Sequence, residues 1–101
     1  MDEPTVVTLS GDIDVATRTA VRERLEPLDS AARAIVDLTN AAYIDSSAVS
    51  ELLFAYRRRV EAGGDSVRLV VRPASNVARL IELAGLGQLF AVYETLEEAR
   101  A

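Results

Sequence analysis

The residues with the clearest chemical potential are Asp45-Ser46-Ser47-Ala48. They stand between an apolar segment with strand character and a stretch whose apolar residues recur at helical spacing. A hydroxyl at the start of a helix is a poor nucleophile without a base. It is a good acceptor of a phosphoryl group, because the unpaired backbone N–H groups of the first turn can hold the added charge. The chain has no histidine and no cysteine, and all eleven basic residues are arginine. That removes the usual general base at neutral pH, the commonest metal ligands, disulfides, and the lysine on which a P-loop or a Schiff base depends. The acidic residues Asp12, Asp14 and Asp45 suggest a phospho-receiver pocket, but that chemistry wants a lysine. Paired carboxylates for glycoside chemistry would want an aromatic-lined cleft that a chain this short does not offer. The junction therefore reads as a switchable binding element and not an enzyme, with no metal and no cofactor.

The elements that must position it fit one domain over residues 1–101, since 101 residues support a single core. The net charge of -5 repels nucleic acid, and no aromatic-basic patch offsets it. The one basic cluster, Arg57-Arg58-Arg59, reads as a solvated helix face near a C-terminus. No apolar run approaches ~18 residues, so no membrane insertion is expected. The acidic start, Met1-Asp2-Glu3-Pro4, has no signal-peptide character, which points to the cytoplasm.

Strands are expected at Thr5–Ser10, Ala34–Leu38, Ser66–Arg72 and Phe90–Tyr93, with Asp12-Ile13-Asp14 as a turn or short extended piece. Asp14 or Thr17 can cap a first helix with Val21, Leu25 and Leu28 inward, which Pro27 ends or kinks. From Ala48 a second helix presents Val49, Leu52, Leu53, Tyr56 and Val60, and Gly63-Gly64 stops it. Ser75 or Asn76 caps a third helix with Val77, Leu80, Ile81 and Ala84 inward. Thr95 and Glu98 form a capping box for a last short helix. Strands alternating with helices imply an α/β fold with a mostly parallel four-stranded sheet flanked by helices.

This order of motifs resembles the STAS domain, in its anti-sigma-factor antagonist form. Leu9-Ser10-Gly11-Asp12-Ile13-Asp14 with Thr17, Ile35–Leu38 followed by Tyr43-Ile44-Asp45-Ser46-Ser47, and Val71–Leu86 match family segments in sequence order. Phe90 and Leu96-Glu97-Glu98-Ala99 fall where the family has related residues. The resemblance implies a module that binds an anti-sigma factor which is also a serine kinase. Phosphorylation of the second serine, here Ser47, releases the partner, and a serine phosphatase reverses the change, so that transcription is regulated. Ser46 is the second candidate acceptor, and Asp14 and Asp45 lie at motif positions near the acceptor. The alternative function is a STAS subunit of a transport complex or stress-sensing assembly, docked without phosphate control.

The sequence departs from the family in two places. Ala48 replaces a glycine, which favours helix by ~1 kcal/mol and either stiffens the first turn or limits a partner's backbone approach. The strand that usually precedes the first one has no counterpart among the four residues before Thr5, leaving an edge, partly blunted by Pro4, through which a homodimer could form. A helical wheel at about 100° per residue puts Ser47, Ser50, Glu51, Phe54 and Arg58 on one outer face. With Asp14, Asp45 and Ser46 they form the expected partner-binding set. Phe54 either anchors a partner or is covered by a neighbouring helix.

Overall fold

The computed structural model describes residues 3–101. Four strands, β1 (Thr5–Thr8), β3 (Ala34–Asp37), β5 (Val67–Val70) and β6 (Ala91–Tyr93), form a wholly parallel sheet in the order β1-β3-β5-β6. A second, two-stranded parallel sheet joins β2 (Gly11–Ile13) to β4 (Ala41–Ile44). The same two chain segments thus pair twice. They run side by side as β1 and β3, break at the buried Leu9 and Leu38, and pair again as β2 and β4. The piece read as a turn or short extended stretch around Asp12 is therefore a strand. Gly11, at φ +74°, begins it and precedes a register shift between Gly11 and Asp12.

Helices α1 (Arg18–Leu25), α2 (Ser46–Glu61) and α3 (Asn76–Leu83) lie against one face of the main sheet. Strands added in chain order by crossovers of one hand put all their connecting helices on the same side. Val7, Val36 and Leu69 meet Val21, Leu25, Leu52 and Ile81 there. The other face carries Ile35 and Val70 and is covered by α4 (Leu96–Arg100) through Leu96 and Ala99. Alternate residues of β3 and β5 therefore serve two cores, as a strand with both faces covered requires. As expected at Pro27, the α-helix ends just before it, at Leu25. The proline sits in the first turn of a 3-10 segment, Glu26–Ser30, that carries Leu28 into the core with no exposure. β1 stands at the sheet edge, where the Arg24 guanidinium donates to the Thr8 carbonyl at 2.8 Å.

The roll of α2 differs from the wheel. Its buried residues are Ala48, Glu51, Leu52, Ala55 and Arg59. Val49, Leu53 and Tyr56 are only partly covered, and Val60 is exposed. Ala84, expected inside, is exposed too. Nor is Arg57-Arg58-Arg59 a uniformly solvated face, since Arg59 is 1% exposed. Arg59 donates to the carbonyls of Leu28 (2.8 Å), Ala31 (2.6 Å), Ala32 (3.3 Å) and Asp65 (2.8 Å) and to Asp65 Oδ1 (2.6 Å). A guanidinium has five N–H donors in a fixed fork, and these acceptors use all three nitrogens. Gly64 belongs to the same joint, because a Cβ there would stand 3.2 Å from the Arg59 carbonyl oxygen and 3.3 Å from its guanidinium carbon.

Arg59→Met should keep the apolar stem but strand those carbonyls. Each buried polar group left without a partner costs roughly 1–3 kcal/mol, so a loss of about 3 kcal/mol or more is expected in urea unfolding. Arg57→Ala, which removes the same charge from an exposed position, should stay within about 0.5 kcal/mol of the parent. Equal losses would contradict the assignment of Arg59 as the buried tie.

Candidate functional site

The parallel pair β2–β4 ends on two aspartates in matching positions. Ile13 faces Ile44 in register, so Asp14 and Asp45 leave the two strands side by side, and the Asp45 N–H donates to the Ile13 carbonyl at 3.2 Å. Each carboxylate then starts a helical segment. Asp14 accepts from the Ala16 and Thr17 amides at 3.0 and 3.2 Å, while the Thr17 hydroxyl accepts from the Asp14 amide at 3.0 Å in a reciprocal capping box. That settles the first cap: Asp14 opens the 3-10 turn Val15–Thr17, and Thr17 makes no side-chain cap to α1. Asp45 accepts from the Ser47 amide at 2.8 Å and the Ala48 amide at 3.2 Å. Two of the first-turn amides expected to be free for an added phosphate are therefore already taken.

Ser46 is exposed and Ser47 is half-buried at the start of α2. The Ser47 hydroxyl has no hydrogen-bond partner among the described residues. Two apolar depressions lie on α2, one along its length from Ser50 to Glu61 and one at its start. One, of about 360 Å³, is lined by Ser50, Phe54, Val60 and Leu89 among others. Its floor includes Tyr56, which meets Phe90 edge to face at 5.6 Å. The other, of about 460 Å³, lies between β4 and α3 and is lined by Tyr43, Asp45, Ser46, Arg79 and Leu83 among others. Phe54 is 43% exposed, so no neighbouring helix covers it. Tyr43 and Leu83 are more exposed still. The wheel missed these two because they lie on β4 and α3. Of the two only Tyr43 stands near the serines in sequence; Leu83 is brought there by the fold.

Glu51 is a correction to the outer face. It is 1% exposed, and its carboxylate turns to α1, where Arg18 Nε donates at 2.7 Å and Arg22 at 2.9 and 3.1 Å. Glu51 is thus removed from the set a partner can touch. Arg58 is tied down as well: its Nε donates to both Asp29 oxygens at 3.0 and 3.1 Å, and its buried Nη2 has no protein partner. Ser50 remains half-exposed beside Phe54. Hydrogen bonds from Arg22, and then from Arg18, hold the Glu51 carboxyl below the usual glutamate range, although burial pulls it the other way. Among the described residues no group of acidic side chains is arranged to hold a metal ion, and no helix is long and apolar enough to cross a membrane.

A family model of the STAS domain matches residues 1–99. The chain belongs to the STAS domain family. No curated protein matches it in sequence. Among solved structures it is similar to an anti-sigma factor antagonist from Mycobacterium paratuberculosis, with 29% identity, a TM-score of 0.84, and 98% of this chain and 84% of that one covered. It also shares its fold with a putative anti-sigma factor antagonist from Thermotoga maritima, at 19% identity and a TM-score of 0.83, over 98% of this chain and 86% of that one. The phosphorylated form of the Bacillus cell fate determinant SpoIIAA has the fold too, at 22% identity and a TM-score of 0.69, over 98% of this chain and 89% of that one. Within the STAS frame, Ala48 in place of glycine is no barrier to a partner. Its side chain is buried in the core and its amide is held by Asp45.

The Glu51 ion pairs should show in the pH dependence of stability. A carboxyl held below its unfolded value contributes stability that is complete above that value, ~4.3, and is lost as pH falls through the lower folded value. The stability gap between the parent and Glu51→Gln in urea unfolding should be constant above about pH 5 and shrink on further acidification. A gap unchanged down to pH 3 would contradict the charged pairing.

Proposed function

We propose that this STAS domain is an anti-sigma-factor antagonist whose grip on its partner is set by phosphorylation of Ser47. Unmodified, it binds an anti-sigma factor that also has serine kinase activity, and so frees a sigma factor for transcription. The kinase moves the γ-phosphoryl group of ATP to Ser47 Oγ with loss of the hydroxyl proton, and the partner leaves. A serine phosphatase restores the binding form. The domain catalyses nothing itself and acts in the cytoplasm.

The observation that carries this reading is the half-buried, unpartnered Ser47 hydroxyl at the mouth of α2, one end of a surface that also holds the exposed Phe54. The 29% identical relative is itself named an anti-sigma factor antagonist. Phosphate adds about -1.5 to -2 charge. At Ser47 it would meet the Asp45 carboxylate, whose two amides it could gain only by displacing it. The fold tolerates a solvated dianion there, whereas an interface that closes over it does not. Switching from nearly all bound to nearly all free needs ~5.5 kcal/mol of differential affinity, within the cost of desolvating an unpaired dianion.

Incubation with the cognate kinase and ATP should add the mass of one phosphate, which Ser47→Ala loses and Ser46→Ala keeps. Ser47→Asp should bind the partner more weakly than the parent. Equal binding would point instead to a permanently docked subunit of a larger assembly. Phe54→Ala should weaken partner binding by about tenfold or more, the scale of an aromatic anchor. Its melting temperature should hardly move, because Phe54 is already 43% exposed in the free domain. A large drop in stability with unaltered affinity would count Phe54 as core.

A further inference from the structure

We propose that Arg18 and Arg22 of α1 form the receiving site for a phosphate carried by Ser47, holding it with their remaining N–H groups while they stay paired to Glu51. The proposal rests on Ser47 as the modified residue and adds what holds the modification. Ser47 stands four residues before Glu51, so the two lie on one face of α2, separated by about 6 Å of rise. Glu51 is the residue both arginines hold, with Arg18 Nε at 2.7 Å and Arg22 Nη2 at 2.9 Å from its Oε2. The arginine side chains are 35% and 51% exposed, while Glu51 is 1% exposed. Arg18 holds it through Nε and Arg22 through Nε and Nη2, so both guanidinium groups keep further N–H donors at the solvent margin of the α1–α2 seam. Side chains on a helix lean toward its N-terminus. On α1 that lean carries Arg18 toward the end where Asp14 and Asp45 stand side by side and Ser47 begins its turn.

The chemistry favours this arrangement. Guanidinium matches phosphate oxygens in a two-point contact, and a dianion draws it more strongly than a monoanionic carboxylate. The helix N-terminus does not compete for this role, because Asp45 already occupies the Ser47 and Ala48 amides. Two arginines for one carboxylate leave a net positive charge in the seam of the unmodified protein. A phosphate of about -1.5 to -2 charge more than cancels that excess. Ser46 lies on the other side, in the depression shared with Arg79, so the two serines have separate cation neighbours.

The test needs no kinase: phosphoserine is installed at position 47 by semisynthesis and its second ionisation is followed by phosphorus NMR. Free phosphoserine titrates near pH ~6. In the folded protein the proton affinity should be roughly tenfold lower. Glu51→Gln, which keeps both arginines, should lower it further. The triple variant Arg18→Gln/Arg22→Gln/Glu51→Gln lacks the same carboxylate and differs from it only in the cations, and there the proton affinity should rise to that of free phosphoserine or above it, because the Asp45 carboxylate remains. Circular dichroism establishes that each variant is folded. A triple variant that titrates like Glu51→Gln overturns the proposal, as does an effect lost only with Arg79→Gln. An unchanged or raised affinity in Glu51→Gln overturns it even where the triple variant does not fold. Absence of any kinase for Ser47 would instead defeat the switch reading and leave this measurement standing.

Discussion

Two opposite charges buried on one helix set the roll of α2 about its own axis. Glu51 and Arg59 are each 1% exposed and lie eight residues apart on nearly the same face. Glu51 is held by Arg18 and Arg22 from the preceding helix, and Arg59 by carbonyls that precede β3 and β5. An unpaired charge in these positions would cost several kcal/mol, so neither can turn to a site lacking its partners. Once both are seated, the rest of the helix has no freedom. Ala48, Leu52 and Ala55 must face the sheet, Phe54 must face solvent, and Ser47 must lie on the α1 side.

That constraint explains which parts of the molecule were legible in the sequence. The four strands of the main sheet, the stop at Gly63, the Thr95–Glu98 capping box and the inward Val21, Leu25 and Leu28 follow from local rules, and the structure has them. The roll of α2 was not legible, because an apolar wheel places every charge outward by construction. Glu51 is buried only because two arginines arrive from a helix some thirty residues earlier. The strand β2 was also hidden, because three residues with an aspartate at their centre have no strand pattern alone. They pair only because β1 and β3 have already brought β4 alongside.

The candidate site was legible as a junction but not as an electrostatic arrangement. Asp45 beside the serines is plain in the sequence, and the STAS resemblance singles out Ser47. Structure adds that Asp45 spends its carboxylate on the very amides an added anion would want. It also adds that an aspartate on the neighbouring strand performs the same duty for its own helical segment. The surface beside Ser46 draws its apolar members, Tyr43 and Leu83, from β4 and α3, so no one-helix pattern could have found it.

The order β1-β3-β5-β6 has a consequence for how the domain is made. Every new strand of the main sheet docks on a strand synthesised before it, so the sheet can grow outward from one side as the chain leaves the ribosome. Both aspartate caps, both serines and the α1 arginines lie before Glu61, the last residue of α2. The Asp65 acceptors of Arg59 follow four residues later. The serine-bearing junction and the α1–α2 seam can thus take shape early, while β5, α3, β6 and α4 close the rest of the domain afterwards.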